Sequence, residues 1–496
     1  MSHQTITTHL LRTVLAALVG TFAARAAVAQ TPTGKTVDQW LERLKDPDAA
    51  KRRQAAVSLG SYGPDISKAA IQTLGGLLKD SDETVRHAVA LSLGNYGPAA
   101  KAALPAIRAA VKDPAPTVRR AAVFAIGNIG SAARDAVPEL IQALGDQNEN
   151  VRHAATYALG SVGEEAKAAA PALGKLLVSD PDADVRQSAA FALGEIGPDA
   201  AESVGDLAKA LADADGGVRK AAIEALGSMG PEAKPALPEL CRVLLNDKDF
   251  ALRRSAAYAL GEMGPEARAA SGALARALRD ADVGVRYDAA QSLSIIGPDA
   301  KSAVPALAQA LGDQDVEVRK KVAYALGEMG PAAKGAAEAL AKALADEDED
   351  LRKTVAYAIG SIGPAAKPTV PALTHALGDK VDSVRLAVAY SLGEIGPDAA
   401  TAVPTLIRFL KDPDDEVRQE VAFALGEMGG AARPALPALQ QALMDRAEIV
   451  KDAAKEAIEK INEDGAGGVQ PAPPRAAPGA PVPKAARPGP PGAPPR

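Results

Sequence analysis

Aromatic residues are scarce: six Phe, eight Tyr and one Trp in 496 positions. A single thick core in a chain this long needs large rings to fill it, so one large globule is excluded. Cysteine is nearly absent. Cys241 stands alone, so no intramolecular disulfide can form and no thiol pair exists for a redox couple or metal site. Beside Leu240 in PELCRVLL it reads as a small core residue. An excess of base is missing too. The net charge is −6, with +2 in residues 1–29 and +2 in residues 463–496, which leaves −10 for the middle. No basic stripe remains for a phosphate backbone, which excludes nucleic acid as the expected partner. There are five histidines, His3, His9, His87, His153 and His375, and no HExxH zinc pattern. His87 and His153 share one repeat position and read as surface residues rather than metal ligands. Gly34-Lys35-Thr36 lacks the upstream Gly of a phosphate loop, since Ala29 stands there. No metal or cofactor is expected.

Long apolar runs are also lacking. Residues 13–24 form one, but twelve residues are too few to span a bilayer as a helix. Arg12 precedes the run, and Ala27-Val28-Ala29 offers a small-x-small cleavage site before Gln30. Residues 1–29 therefore read as a secretory signal, which places the protein outside the cytoplasm, periplasmic or secreted. No Cys follows the cleavage site, so no lipid anchor is expected. Residues 463–496 hold 11 prolines without aliphatic periodicity and read as a Pro-rich disordered tail with PxxP-like spacing.

What is abundant is Ala, 111 residues, with 44 Gly and 37 Pro. Small side chains let helices pack closely, and the composition points to a helical repeat array. The repeat is visible. Turn glycines recur at 63, 97, 130, 163, 197, 230, 264, 297, 330, 363, 396 and 429, a mean period of 33.3 residues, and nine of the twelve precede Pro. An Asp with an Arg six positions later recurs in register, as in Asp80/Arg86, Asp113/Arg119, Asp313/Arg319 and Asp412/Arg418. The thirteenth copy carries Lys451 after Asp445. One unit reads as two helices. In the unit from Gly297, Pro298 suits the first turn of helix A, and Pro305 should kink it or start its straight part. Asp313 makes the turn, Val318 opens helix B, and Gly330 closes it. Residues 30–462 therefore form an all-α solenoid of about 13 two-helix units of about 33 residues.

The mid-helix Pro, the turn Asp, the Val-Arg opening of helix B and its ALGxxG close resemble HEAT repeats of the short Ala-rich, phycobilin lyase-like type. The resemblance covers residues 34–462. It implies Asp/Arg ladders between stacked repeats, which physics also favours: a half-buried Arg at one depth in every unit needs a carboxylate. It implies that the B helices line a concave inner surface. Deoxyhypusine hydroxylases share HEAT-like pairs and hold two irons with His-Glu pairs, but no His here is followed by Glu, so that activity is not carried over. Bilin transfer finds no support in a secreted chain with one core Cys.

A helical wheel for helix B places the Val before the Arg and the residues three, seven and ten after it on one buried stripe. Met229, Met263, Met329, Met428, Tyr62 and Tyr96 occupy the last of these columns and read as core fillers. Glycine eight after the Arg, as in Gly60, Gly94 and Gly127, should permit close approach of helices. The residue five after the Arg falls roughly 140° away from it, facing outward. That column holds Phe124, Tyr157, Phe191, Tyr258, Tyr324, Tyr357, Tyr390 and Phe423, interrupted by Glu224 and Gln291. One turn before it stand Arg120, His153, Arg254, Lys320 and Lys353; one turn after it stand Glu195, Glu262, Glu328, Glu394 and Glu427. This basic, aromatic and acidic banding points to a non-enzymatic, monomeric scaffold that grips an extended protein or peptide. Two other readings stand beside it: a polysaccharide-binding module using the same stripe, and rings that only pack on the neighbouring helix. Trp40 should cover the N-terminal end of the core, beside an abbreviated first helix at residues 37–45. The last helix should be an exposed cap.

Overall fold

The computed structural model describes residues 35–63 and 66–464. The expected signal and nearly all of the Pro-rich tail lie outside the described residues. Within them every regular element is a helix. The chain divides into two units, residues 1–199 and 200–496. The first unit carries five B helices, from Ala49–Gly60 to Ala183–Ile196, and the second carries eight, from Gly216–Met229 to Glu448–Asp464. Within each unit, each B helix packs on the B helix of the next repeat.

Helix A is not one helix. Eleven of the twelve turn glycines, from Gly97 to Gly429, open a seven-residue 3-10 stretch, such as Gly297–Ala303, followed by a short α-helix, such as Val304–Ala310. Pro305 sits in the first turn of that α-helix, so it starts the straight part, as one of the two expectations had it. The backbone relaxes at Ala300, where ψ is 19°. The 3-10 geometry follows from the pattern of burial. Ala300 and Ala303 lie three apart and both point inward, which suits three residues per turn. All twelve turn glycines have positive φ, between 53° and 71°. At Gly130 φ is 69° and ψ is −146°, a combination that a side chain would obstruct.

Helix B begins earlier than Val318 suggested, at Val316, and its N-cap is a second acidic residue two after the turn Asp. Asp315 accepts hydrogen bonds from the N–H groups of Glu317 and Val318 at 2.9 and 3.1 Å. The same device recurs at Asp48, Asp82, Asn148, Asp182, Asp215, Asp249, Asp282, Asp348 and Asp414.

The core is thin and aliphatic. The residue seven after the Arg, from Leu59 to Leu425, is fully buried in all twelve Arg-bearing repeats. Met229, Met263, Met329, Met428 and Tyr96 are buried with it. Tyr62 is half-buried and donates its hydroxyl to the Lys35 carbonyl at 2.7 Å. Trp40 is buried on the first helix, Val37–Arg43, with the Lys35 ammonium 4.9 Å from its ring. Thr36, from the discounted phosphate-loop match, is instead the N-cap of that helix, paired reciprocally with Gln39. Glycine eight after the Arg does allow close approach. A Cβ at Gly127 would stand 3.0 Å from the Ala158 backbone of the next repeat.

Candidate interaction surface

Two sets of recurring polar residues must be separated before a site can be read. The first is the Asp and Arg of the turns. Each carboxylate first fixes its own turn, as Asp313 does by accepting the Asp315 N–H at 2.9 Å. It then receives the Arg of the preceding repeat. Arg52 reaches Asp80, Arg86 reaches Asp113 and Arg119 reaches Asp146, each through two hydrogen bonds of 2.7–2.9 Å. In the second unit Arg286 reaches Asp313, Arg319 reaches Asp346, Arg385 reaches Asp412 and Arg418 reaches Asp445. The same guanidinium donates backward to a carbonyl of its own turn, as Arg86 does to Asp80 at 2.9 Å. In Arg86 every nitrogen of the planar fork thus has a use, which a Lys ammonium could not reproduce.

The Arg hydrogen bond is the largest influence holding the carboxyls of Asp80, Asp146 and Asp445 below the ordinary range. For Asp113, Asp313 and Asp379, burial pushes upward most, but the Arg and the turn N–H together outweigh it. These residues are bound to one another and serve the frame.

The second set is the outer face of the B helices. The wheel treats a helix as isolated, whereas each B helix has flanking B helices as well as its own A helix. The buried arc is therefore wider than expected, and the residue four after the Arg, from Ala56 to Ala422, is fully buried too. The aromatic column sits at the edge of that arc rather than opposite it. Of its eight rings, Tyr258 is exposed at 44% and Tyr390 is buried at 7%. Phe124, Tyr157, Phe191, Tyr324, Tyr357 and Phe423 are half-buried. Neighbouring rings touch along the column. Phe124 and Tyr157 stack with centroids 6.3 Å apart, and Tyr357 meets Tyr390 edge-on at 5.7 Å. Rings also cover the close-approach glycines: a Cβ on Gly94 would stand 3.5 Å from the Phe124 ring. Packing on the neighbouring helix is thus part of what these rings do.

The basic band is largely tied down. Arg254 bonds Asp288 of the next repeat at 2.9 Å, Lys320 lies 3.1 Å from Glu317 and 3.3 Å from Asp348, and Lys353 lies 2.8 Å from Asp350. Arg120 is exposed, and His153 is half-buried with its pKa lowered by burial. His87, likewise half-buried, is lowered by burial and then by Arg120. In the acidic band Glu328 is exposed, and Glu195, Glu262, Glu394 and Glu427 are half-buried. Burial and then Glu262 push the Tyr258 phenol up to about 12; burial and then Glu328 do the same to Tyr324.

The wheel missed part of this face. Lys321 lies between two rings, 5.3 Å from Tyr287 and 5.2 Å from Tyr324. Lys321, Asp288 and Glu420 occupy the position two after the Arg, where most repeats have Ala or Ser. The interruption of that run by charge was the available signal. Cys241 is half-buried rather than in the core, and burial pushes its thiol up, away from the reactive thiolate. Among the described residues no three His, Cys, Asp or Glu side chains gather as a metal site, and no helix is long and apolar enough to cross a membrane.

Within each unit the B helices thus carry a banded strip of basic, aromatic and acidic residues. Comparison with known proteins agrees with the architecture. The model of the HEAT-repeat family matches in overlapping stretches, from 37–114 and 104–174 through 304–393 to 370–459. No curated protein matches the chain. Among solved structures, importin beta in an ammonium sulfate condition is 15% identical, with a TM-score of 0.48 over 87% of this chain and 68% of that one. Importin beta in a polyethylene glycol condition is 16% identical, with a TM-score of 0.49 over 86% and 71%. A chain from a structure of the cadherin and beta-catenin interaction is 17% identical, with a TM-score of 0.42 over 78% and 100%. The family match runs almost without break through the described helices, and the chain belongs to the HEAT-repeat family as an all-α solenoid.

Proposed function

We propose that this protein, a HEAT array of the short Ala-rich, phycobilin lyase-like kind, is an exported, monomeric, non-enzymatic scaffold. It binds an extended protein or peptide along the outer face of its B helices, which the family resemblance makes the concave one. The observation that carries the reading is the exposure of Tyr258, 44%, within a column of half-buried rings flanked by Arg254, Glu262 and Glu328. Rings held on rigid helices offer contact area at small entropic cost, and the flanking charges set orientation. The ladder and the glycine column are consumed by packing, so recognition falls to the columns that vary from repeat to repeat.

The test is capture from an extracytoplasmic extract on the immobilised full chain. Replacing Tyr258, Tyr324 and Glu328 together by Ala should abolish retention of a discrete protein while the unfolding midpoint stays close to wild type. Unchanged retention would remove this face from the reading, and saturable retention of soluble glycan in place of protein would hand it to polysaccharide. Export has its own check: the protein recovered outside the cytoplasm should begin at Gln30, and recovery only in the cytosol with Met1 intact would refute it.

A further inference from the structure

The −10 carried between the two ends hides cations gathered on the A segments of the second unit. The residue four after the turn glycine is Lys234, Arg268, Lys301, Lys334, Lys367 or Arg433, with Ala400 the one interruption, and all six cations are exposed. The 3-10 geometry places them there: Ala300 and Ala303 turn inward, and Lys301 between them turns to solvent. The row is neutralised where the next repeat supplies an acid two after its own turn glycine. Lys234 meets Glu266 at 2.6 Å, and Lys367 meets Asp398 at 2.8 Å. Two consecutive repeats lack that acid. Ala332 and Ala365 stand in its place, and Lys301 and Lys334 form no ion pair among the described residues. Arg268 and Arg276, both exposed, form none either, and the exposed Arg279 donates to the uncharged Gln309 side chain. Of the acids on the same segments, Glu338 is paired with Lys342 at 3.0 Å and Glu266 with Lys234, which leaves Asp299 alone against five cations.

The surroundings of these cations narrow what could cover them. Residues 264–277, 297–310 and 330–343 hold no aromatic residue, so no ring is there to stack on a sugar or a base. None of the exposed large apolar side chains lies on these segments, so a partner protein finds no anchor. Recognition falls to charge alone. The charge spreads in two directions. Arg268, Lys301 and Lys334 follow one another from repeat to repeat, about 8–10 Å apart. Arg276 and Arg279 extend the array across that row, eight and eleven residues past Arg268. A single anionic thread would meet one row, whereas a sheet of anionic headgroups meets both.

We propose that the A segments within residues 264–343 dock on an anionic lipid surface through Arg268, Arg276, Arg279, Lys301 and Lys334. The attachment is peripheral and electrostatic, without insertion of an apolar side chain. It uses no residue of the strip assigned above to a protein partner and does not depend on that reading.

The test is co-sedimentation of the full chain with vesicles of equimolar phosphatidylglycerol and phosphatidylcholine, against vesicles of phosphatidylcholine alone. At about 0.1 M salt the anionic vesicles should bind the protein and the neutral ones should not, and the difference should vanish at about 0.5 M. Arg268→Gln with Lys301→Gln and Lys334→Gln should weaken the anionic binding about 100-fold. Ala332→Glu with Ala365→Glu restores the acid that other repeats carry and should weaken it comparably without removing a cation. Lys220→Gln with Lys455→Gln makes the same change in net charge on B helices and should alter binding by no more than about twofold. Equal binding to both vesicles would overturn the proposal, as would a B-helix variant that loses as much as the two A-segment variants. Saturable binding of a soluble polyuronate with none to vesicles would give the face to an acidic polysaccharide instead. No protein partner enters the assay, so its outcome is separate from that of the capture experiment.

Discussion

A single glycine can decide how closely two repeats approach. A Cβ on Gly261 would stand 2.6 Å from the Oγ and 3.2 Å from the Cα of Ser292. That hydroxyl donates to the Ala257 carbonyl at 2.7 Å, so it is not free to move away. Gly261→Ala should therefore destabilise by about 1–3 kcal/mol in denaturant titration, despite the better helix propensity of Ala. Gly205 is the control. A Cβ there meets nothing within 4 Å, and Gly205→Ala should stabilise by up to about 1 kcal/mol. A result of the same sign at both sites would refute the close-approach account. The ladder is equally position-dependent. Arg352 is buried at 6%, and its fork is held by Asp379 at 2.6 and 3.0 Å. Asp379→Ala strands that charge and should cost about 3–5 kcal/mol. Asp46 instead accepts the Asp48 N–H at 2.9 Å and meets Lys51 at 3.2 Å across the surface, and Asp46→Ala should cost far less than Asp379→Ala.

At the scale of the element, the boundaries of helix B are set by small local devices. The turn Asp, the N-cap two residues later and the closing glycine recur in most repeats, and departures are informative. Val381 stands at an N-cap with φ −99° and ψ 123° but offers no side-chain acceptor. Val381→Asp should raise stability by about 0.5–1.5 kcal/mol, read as a shift in denaturation midpoint; no shift would show that the first turn is capped in another way. These devices also explain what could be read beforehand. The turn glycines at 63–429 were legible because only glycine accepts their backbone geometry. The two helices per repeat were legible from period and Pro placement. The N-cap role of the second Asp was not legible, although Asp-x-Asp recurs openly, because one acid suffices to mark the turn and the sequence does not say which carboxylate caps the helix. The 3-10 half of helix A was hidden because Ala serves either helix type, and only burial at Ala300 and Ala303 separates them. The half-buried state of Tyr357 and Tyr390 was not legible, since it depends on neighbouring helices that a single-helix wheel omits.

For the whole molecule the ladder couples stability to pH. The carboxyls of Asp80, Asp113, Asp146, Asp180, Asp280, Asp313, Asp346, Asp379 and Asp445 are all held below their ordinary value. A depressed acid contributes stability that is full above its unfolded pKa, about 3.9, and is lost as pH falls through the folded value. His87 and His153 act earlier. Burial lowers both, so stability falls as pH drops below about 6.5, where the unfolded imidazoles take up protons. The unfolding midpoint should decline gently below about pH 6.5 and steeply below about pH 4. His87→Gln with His153→Gln should remove only the first decline, and a midpoint flat down to about pH 3 would contradict the ladder's role. The ladder also has a direction. Within each unit the ladder Arg looks forward to an Asp that the following repeat supplies, as Arg86 does to Asp113 and Arg286 to Asp313. A duplicated unit of about 33 residues, spliced in at any turn glycine, would bring both halves of the joint with it and leave the joints on either side intact. Lys451 takes the Arg position in the last copy and pairs within its own helix to Glu448 at 2.5 Å. It lacks the fork that a further Asp would require, so it serves as the full stop in a grammar that otherwise permits the sentence to lengthen.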